Sequence, residues 1–478
     1  MSESRRIIPI LPPALRGIEA AHKVQARTTH GRFTRLRWAT LWATQLFFLG
    51  VPWLQWHGRQ MVRFDLEAKR FYLGHLILLP QDLIFLAGLL VFCALLLFVV
   101  TTLLGRVWCG FSCPQTVYTA WFMALERLFE GDRRHRLQLD QSPWGWGKLW
   151  RRGGKQLSWV LVSAWTGFTF VGWFSPVREM GLDLLQGSVG FWDGFWALFY
   201  GAFCYLNAGV LREKVCLHMC PYGRFQGALM DADTLTVAYD ARRGEPRGAQ
   251  RQTQGVVQAS AGSCIDCTVC VQVCPTGIDI RDGLQAACIG CGLCIDACDT
   301  VMDKIGQPRG LVRMATERQL ACGDAPAPGH GGAPASPWAR QRVRVYGGLM
   351  ALLLGGLAWG LAVRPDVRVD VIRDRGVMAR AVEDGAIENV YRLQLMNQTD
   401  VPQRIEVAVA GLPGAVAQAS AVTLGPVEDR QVHVSVRLTG AQAARLAGQT
   451  LPLQVQVASR SAERSSLVSE ASTFIVPR

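Results

Sequence analysis

The sequence predicts a multi-domain protein with an α-helical transmembrane bundle of about five spans, an inserted cysteine-rich domain and a C-terminal β-sandwich of immunoglobulin type. Three observations lead to this fold class. Long apolar stretches recur over the first 363 residues, two four-cysteine runs lie between the fourth and fifth stretches, and short runs of alternating apolar and polar residues fill the tail. Each observation predicts a different domain.

The composition agrees with a chain that spends part of its length in a bilayer. Hydrophobic residues make up 50% of the 478 residues, charged residues only 18%, and the mean hydropathy is +0.17. The 16 tryptophans belong to a residue type that collects at membrane interfaces. The net charge of +13 raises nucleic-acid binding as an alternative, but the basic residues cluster beside apolar stretches and are not interleaved with aromatic ones. We therefore expect no nucleic-acid partner.

Five stretches have the length and apolarity of transmembrane helices. They are residues 36–56, 83–104, 157–174, 189–211 and 345–363.

Basic residues between these stretches predict the orientation of the chain. Lys and Arg number nine in 105–156 and fifteen in 212–344, but four in 57–82 and one in 175–188. By the positive-inside rule, the two basic segments face the cytoplasm. The segment 1–35 is also basic and has no apolar signal-peptide core, so we expect it to stay in the cytoplasm. An odd number of spans then places the tail in the periplasm.

The tail alternates apolar and polar residues in runs such as 389–397, 403–409 and 451–457, which is typical of strands in a small sandwich. Two segments rich in Gly, Pro or Arg are predicted linkers. The predicted domains are a cytoplasmic N-terminal segment (1–35), a transmembrane four-helix region (36–240), a linker (241–262), the cysteine-rich domain (263–320), a second linker (321–344), a fifth transmembrane helix (345–363) and the periplasmic immunoglobulin-like domain (364–478).

The cysteine-rich domain has the spacing of a bacterial two-cluster ferredoxin. The spacing C-x2-C-x2-C-x3-C occurs at Cys264, Cys267, Cys270 and Cys274, and again at Cys288, Cys291, Cys294 and Cys298. In such domains three thiolates hold one 4Fe-4S cluster and the fourth cysteine crosses to the other cluster. The expected ligand sets are Cys264, Cys267, Cys270 with Cys298, and Cys288, Cys291, Cys294 with Cys274. Zinc is the alternative, although it favours two separate Cys-x-x-Cys pairs.

A second repeat follows two of the predicted spans. WCGFSCPQ at 108–115 and VCLHMCPY at 215–222 both contain Cys-x-x-x-Cys-Pro. The prolines suit the first turn of a helix, which would place Cys113 and Cys220 at helix N-termini and lower their thiol pKa. We call Cys109, Cys113, Cys216 and Cys220 the membrane-edge cysteines. Four thiolates form a soft site for Cu(I), zinc or an iron–sulfur centre, with His218 and Met219 as further donors. The alternative is that they are small packing residues.

Several long segments resemble the cytochrome c oxidase accessory protein family that includes CcoG, FixG and RdxA. They are CGFSCPQTVYTAWFMALERLFEGDR, VCLHMCPYGRFQGALMD, CIDCTVCVQVCPTGIDIRDGLQAACIGCGLCIDACDTVMDK, PRGLVR at 308–313 and NVYRLQLMNQT in the tail. The resemblance runs over nearly the whole chain. It implies a multi-pass protein of the bacterial inner membrane that acts in assembly of the cbb-type oxidase and reduces Cu(II) to Cu(I).

The resemblance also implies roles for the cysteines and for partners. The eight ferredoxin cysteines match the family's cluster ligands, and the membrane-edge cysteines match its second motif, where copper would react. Expected partners are the bilayer, copper ions, a copper-transporting ATPase or oxidase assembly factors, and an electron donor that the sequence does not identify. Two other functions stay open: an electron-transfer subunit that links a quinol or soluble donor to a respiratory reductase, and a scaffold with structural clusters.

Overall fold

The computed structural model describes residues 24–248, 262–322, 338, 340–373, 379–382, 385–418, 421–461 and 465–477. Parts of the predicted N-terminal segment and of both predicted linkers lie outside these residues. The chain divides into two compact units. The first unit comprises Met1–Thr44, Leu97–Trp165 and Tyr200–Arg344, and the second comprises Gln45–Leu96, Thr166–Phe199 and Val345–Arg478.

Helices form at the apolar stretches and after both Cys-x-x-x-Cys-Pro motifs. The α-helices are α1 (Arg32–Gly50), α2 (Leu83–Leu104), α3 (Val107–Phe111), α4 (Pro114–Glu130), α5 (Arg133–Gln141), α6 (Trp146–Val171), α7 (Val177–Gln186), α8 (Phe191–Cys204), α9 (Pro221–Leu229), α10 (Ala241–Gly244), α11 (Val269–Gln272), α12 (Leu293–Lys304), α13 (Glu317–Cys322), α14 (Gln341–Val363) and α15 (Gly440–Arg445). Short 3₁₀ helices form at Val51–Trp53, Pro80–Asp82 and Ile280–Asp282, and π-helical segments at Tyr205–Leu211 and Val215–Met219.

Three helices among the described residues are long and apolar enough to cross a membrane. They are Pro80–Leu104, Phe191–Leu211 and Gln341–Val363, which coincide with three of the five predicted spans. In the first and third, none of the apolar window is buried by protein, so lipid is the solvent that suits these side chains. The other two predicted spans coincide with α1 and α6, which begin with basic turns. The count of five spans stays a prediction.

The strands fall into separate sheets. They are β1 (Gln55–Trp56), β2 (Arg59–Gln60), β3 (Val62–Asp65), β4 (Arg70–Leu73), β5 (Leu76–Leu78), β6 (Thr236–Tyr239), β7 (Val312–Ala315), β8 (Val367–Arg373), β9 (Arg380–Ala381), β10 (Ile387–Asn397), β11 (Gln403–Ala410), β12 (Ala415–Gln418), β13 (Val422–Leu424), β14 (Asp429–Leu438), β15 (Thr450–Arg460) and β16 (Ser465–Ile475).

The tail of the second unit is a β-sandwich, as the alternating runs predict. One antiparallel sheet has the order β12-β14-β10-β8, with β9 also paired to β10, and the other has the order β13-β11-β15-β16. Alternate residues of each strand face a shared core, because side chains in a strand point to opposite faces in turn. Leu393 and Leu395 of β10, Val436 of β14 and Val455 of β15 are buried there together.

Asp82 connects the start of the tail to the segment that precedes α2 in the second unit. Its Oδ2 accepts a hydrogen bond from Arg364 Nη2 at 2.6 Å, and Arg368 Nη1 lies 3.7 Å from its Oδ1. The same carboxylate also accepts from the Leu79 backbone N–H. Asp82 is 5% exposed, so these partners take the place of water around its carboxylate.

We expect Asp82→Asn to lower the stability of the second unit by about 3–5 kcal/mol, since two arginines lose their buried counter-charge. Thermal unfolding of the detergent-solubilised chain measures this loss. Asp65→Asn is the matched control, because the Asp65–Arg63 pair is more exposed and joins residues only two positions apart. Equal unfolding midpoints for the two variants would contradict a structural role for Asp82.

In the first unit, the cysteine-rich segment folds around a two-stranded antiparallel sheet. The strand β6 pairs with β7 from Thr236↔Ala315 to Tyr239↔Val312. Val237 of β6 shares a buried cluster with Cys264, Cys270 and Met302. Because β6 precedes the predicted linker 241–262, the core around the cysteines includes a strand from outside 263–320. The domain boundaries themselves stay predictions.

Candidate redox site

The second expected ligand set lines a single cavity in the first unit. Its lining includes Cys274, Cys288, Cys291 and Cys294, together with Cys270 from the other set. The space between these residues has about 350 Å³ free of protein atoms, part of it open to solvent. The rest of the lining is mainly apolar, and thiolates in an apolar surround are the donors that iron–sulfur clusters use. The residues present therefore fit such a cluster.

The first expected set also comes together. Cys264 and Cys270 are buried in the core that Cys298 packs against, and the charge of Cys298 interacts with those of Cys270 and Cys267. Cys298 thus lies beside the cysteines of the earlier run, as the ferredoxin spacing predicts. Cys267 is exposed. Assignment of each thiol to a cluster remains a proposal.

Burial shifts the pKa of Cys288 and of two thiols of the first set. It raises the pKa of Cys288 to about 12, partly offset by the Gly290 backbone N–H, which lies 3.4 Å from the sulfur. Burial also raises the pKa of Cys298 to about 12 and that of Cys270 to about 11. Thiols of this kind ionise only with a strong positive charge beside them, and a coordinated metal supplies that charge.

The two Cys-x-x-x-Cys-Pro motifs have related local structures. Cys109 lies in α3, and Cys113 is the residue before α4, with Pro114 as the first helical residue. Cys216 lies in the π-helical turn Val215–Met219, and Cys220 precedes α9, with Pro221 in the first turn. The prediction that Cys113 and Cys220 stand at helix N-termini is confirmed.

The membrane-edge cysteines lie within electrostatic range of each other. Burial, together with the charges of Cys113, Cys109 and Cys220, raises the pKa of Cys216 to about 12. The prediction of a lowered pKa is wrong for Cys113. Burial raises the pKa of Cys113 more than the backbone N–H groups of Thr116 and Gln115 lower it.

Gln226 is a neighbour of this group that the sequence did not indicate. It is fully buried on α9, its Nε2 lies 3.2 Å from Cys109 Sγ, and its Oε1 lies 3.5 Å from the same sulfur. The predicted extra donors His218 and Met219 are exposed. Among the residues that the structure describes, no three His, Cys, Asp or Glu side chains converge as a site for a single metal ion. Copper at these thiols is therefore a proposal.

The helix α3 packs directly onto the cysteine loop of the second ligand set. A Cβ atom at Gly110 would lie 2.8 Å from the Ile289 carbonyl oxygen and 2.9 Å from Cys291 Cα, so only glycine fits. Arg106 binds the same loop, since its Nη1 donates to the carbonyl oxygens of Ala286 and Cys288. Its Nη2 donates to the Gly223 carbonyl oxygen on α9 at 2.6 Å. Arg106 thus connects both motifs to the cluster loop.

A buried network of charges connects the helix after the first motif to Arg212, three residues before the second motif. Glu126 of α4 accepts from Arg212 Nη2 at 2.9 Å and from Arg136 Nη1 at 3.2 Å. Arg212 has a φ of +45°, a backbone conformation that non-glycine residues rarely adopt. Gln115 Nε2 also donates to the Arg212 carbonyl oxygen at 3.0 Å. Side chains of α4 therefore hold the strained backbone at Arg212, which leads into the second motif and Cys216.

Comparison with known proteins decides the family. A family model described as 4Fe-4S dicluster domain matches residues 211–317, one described as 4Fe-4S binding domain matches 86–131, and one described as IG-like fold at C-terminal of FixG matches 357–477. The nitrogen fixation protein FixG of Rhizobium meliloti is 36% identical over 446 residues, which cover 87% of this chain and 84% of that protein. The chain belongs to the FixG/RdxA family.

Two further relatives support the FixG/RdxA assignment. Protein RdxA of Cereibacter sphaeroides is 40% identical over 402 residues, which cover 81% of this chain and 82% of that protein. Protein RdxB of the same organism is 38% identical over 387 residues, which cover 79% and 80%. The resemblance predicted from the sequence is confirmed.

Family and structure together establish the general nature of the chain. It is an iron–sulfur electron-transfer protein of the FixG/RdxA family, it is associated with a membrane, and its tail has an immunoglobulin-like fold. The 4Fe-4S binding model at 86–131 includes Cys109 and Cys113, and the dicluster model at 211–317 includes Cys216 and Cys220. The membrane-edge cysteines thus fall within matches to iron–sulfur families.

Proposed function

We propose that the protein reduces Cu(II) to Cu(I) at the membrane-edge cysteines with electrons from its iron–sulfur clusters, in the assembly of a cbb-type cytochrome c oxidase. The packing of α3 on the cluster loop is the observation that supports this most. Gly110, which stands between Cys109 and Cys113, meets the backbone of Cys291. Electron transfer falls off steeply with distance, so this close packing suits a cluster that delivers electrons to the thiols.

Each group of residues has a defined part in this proposal. The cluster ligands are Cys264, Cys267, Cys270 and Cys298 in one set, and Cys274, Cys288, Cys291 and Cys294 in the other. When bound, such clusters supply electrons one at a time. Sulfur donors favour Cu(I) over Cu(II), so binding of the product at the membrane-edge cysteines draws the reduction forward. Arg106 holds α3 and α9 against the cluster loop. It thereby fixes the position of the membrane-edge cysteines relative to the cluster ligands.

The proposal includes an orientation in the bacterial inner membrane. The basic segments 105–156 and 212–344, which contain the cysteine motifs, favour a cytoplasmic cluster domain. An odd number of spans then leaves the immunoglobulin-like domain in the periplasm. Copper would be exchanged with a copper-transporting ATPase or with oxidase assembly factors. The clusters would be reduced by a separate electron donor.

A periplasmic tail predicts the behaviour of reporter fusions. We expect alkaline phosphatase fused after Arg478 to be active. Green fluorescent protein fused at the same position and exported by the Sec pathway should not fluoresce. The control is a fusion after Arg318, before α14, which should show the opposite pattern. Cytoplasmic reporter activity at Arg478 would contradict the odd span count.

The central experiment is a copper titration of the reduced protein. Dithionite reduces the clusters anaerobically, excess reductant is removed, and Cu(II) is added with a Cu(I)-specific chelator. We expect about two Cu(I) per chain, one for each cluster, with loss of the reduced-cluster electron paramagnetic resonance signal. Clusters that stay reduced in the presence of Cu(II) would rule out the proposed reaction.

One observation favours a second function. The 4Fe-4S binding model covers Cys109 and Cys113, which suggests that the membrane-edge cysteines hold a further iron–sulfur centre in a subunit serving a respiratory reductase. Iron analysis separates the two functions. If the membrane-edge cysteines bind copper, the chain should contain about eight iron atoms, and if they hold a further 4Fe-4S centre, it should contain about twelve.

A further inference from the structure

Arg37 of α1 lies beside the second ligand set. Its charge interacts with those of Cys291 and Cys274. It also lines a small cavity together with Leu293, the residue before Cys294. In the part of the chain that the structure describes, no ion pair joins Arg37 to Asp or Glu, so the cysteine sulfurs are the negative groups on which its charge acts.

A second arginine acts on the same ligand set. Arg106 Nη1 donates to the Cys288 carbonyl oxygen at 3.3 Å, and its charge opposes the rise in the Cys288 pKa that burial causes. The Arg106 guanidinium donates to carbonyl oxygens, and no ion pair with a carboxylate neutralises it among the described residues. Two arginines thus place positive charge beside the second set.

The crossing cysteine of the first ligand set has a carboxylate next to it. Asp299 follows Cys298 directly and acts on it electrostatically. The Asp299 Oδ1 accepts a hydrogen bond from the Gly310 backbone N–H at 2.9 Å, which fixes the position of this carboxylate. The crossing cysteine of the second set, Cys274, is followed by the uncharged Pro275. The two sets therefore differ in charge at equivalent positions.

An arginine beside the first ligand set is paired with carboxylates. Arg281 acts on Cys270, but it forms ion pairs with Asp279 at 2.6 Å and with Asp266. Asp279 also acts on Cys270, with the opposite sign. The positive charge of Arg281 is therefore offset at the first set.

These charges shift the reduction potentials of the two clusters in opposite directions. A 4Fe-4S cluster gains one negative charge when it is reduced, so a nearby positive charge stabilises the reduced form and a nearby negative charge destabilises it. The effect is largest where water is excluded. The cavity of the second set has a mainly apolar lining besides its cysteines, so the charge of Arg37 is weakly screened there.

We propose that Arg37 raises the reduction potential of the second cluster above that of the first, so that the electron moves from the first cluster to the second. In this step the first cluster is oxidised by one electron and the second is reduced by one, and no bond forms or breaks. The loop of the second cluster packs against Gly110, between Cys109 and Cys113, so the electron arrives beside the membrane-edge cysteines. The inference rests on the proposed copper reduction for the use of that electron, but not for the order of the potentials.

Solvent exposure alone predicts the reverse order. Cys267 of the first set is exposed, and water also stabilises the reduced form of a cluster. If solvation outweighed the charges, the first cluster would have the higher potential, and removal of the Arg37 charge would lower the lower of the two potentials. One substitution therefore separates the two explanations.

The test is an anaerobic redox titration of the detergent-solubilised full chain with dithionite, followed by electron paramagnetic resonance of the reduced clusters. In Arg37→Gln we expect the higher of the two midpoint potentials to fall and the lower one to stay unchanged. The expected shift is about tenfold in the ratio of reduced to oxidised cluster at a fixed potential, or about 59 mV for one electron. Arg37→Lys keeps the charge and should keep both midpoints.

A second variant and a matched control accompany this test. Asp299→Asn keeps an oxygen for the Gly310 N–H and loses only the charge, so it should raise the lower midpoint and leave the higher one unchanged. Arg35→Gln removes an exposed charge from the same helix and should leave both midpoints unchanged. Iron content equal to that of the unaltered chain shows that each variant still holds its clusters.

Three results would overturn the inference. They are unchanged midpoints in Arg37→Gln, a fall in the lower midpoint instead of the higher one, and an equal shift in Arg37→Lys, which would show that the shape of the side chain matters and its charge does not. The titration contains no copper, so its outcome is distinguishable from failure of the proposed copper reduction.

Discussion

Replacing Cys113 and Cys220 together by serine should abolish Cu(II) reduction and leave the iron content unchanged. Both residues directly precede a helix of a membrane-edge motif, and the ferredoxin cysteines lie elsewhere in the chain. Serine oxygen is a hard donor that does not favour Cu(I). The loss should exceed the roughly 10- to 100-fold effect of removing an outer-shell partner of a metal site. The reduced-protein copper titration measures it.

Cys93→Ser is the control for this double variant, because Cys93 is an exposed cysteine on α2 outside both motifs. It should reduce copper at the normal rate. A normal rate in the double variant would move the membrane-edge cysteines to a packing role. Loss of about four iron atoms together with the activity would favour the further iron–sulfur centre.

Glu126→Gln should destabilise the first unit by about 3–5 kcal/mol, the cost of removing one partner of a buried ion pair. Arg136 and Arg212 are 2% and 3% exposed and would lose their shared carboxylate. Arg212 would then lose an ion pair that holds its strained backbone in place. We therefore expect Cys216 and Cys220 to react faster with an alkylating reagent. Thermal unfolding and mass spectrometry of the alkylated thiols measure the two effects.

Asp140→Asn is the matched control, since Asp140 pairs with Arg152 at 2.6 Å on an exposed surface. Exposed pairs contribute at most about 1 kcal/mol. If the Glu126→Gln variant has an unfolding midpoint no lower than that of the Asp140→Asn variant, then the buried charge network does not hold the second motif.

Local patterns in the sequence predicted much of the fold and of the site. The spacing of Cys274, Cys288, Cys291 and Cys294 anticipated thiols around one cavity, and Pro114 and Pro221 correctly marked the first turns of two helices. The helix starts depend on residues close together in the chain. The position of the thiols depends on a cysteine spacing that is required to surround one iron–sulfur cluster. The strands of the sandwich were likewise evident from a period of two.

The remaining features depend on contacts between distant segments. Arg106 binds a carbonyl oxygen 180 residues away, and Gln226 meets Cys109 across 117 residues. Neither residue belongs to a Cys-x-x-x-Cys-Pro motif or to a ferredoxin cysteine run. Gly110 lies within one, but its need for close approach to Cys291 appears only once the loop is in place. The pKa of Cys113 was mispredicted for the same reason, because burial is a tertiary property.

The amide of Gln226 gives Cys109 a partner in either protonation state. Its Oε1 accepts from a thiol S–H, and its Nε2 donates to a thiolate. If copper binds this sulfur as proposed, a proton can replace the copper without leaving a buried polar group unsatisfied. Gln226 would thus stabilise the metal-free form of Cys109, which in the proposed reaction suits this sulfur to passing copper onward rather than storing it.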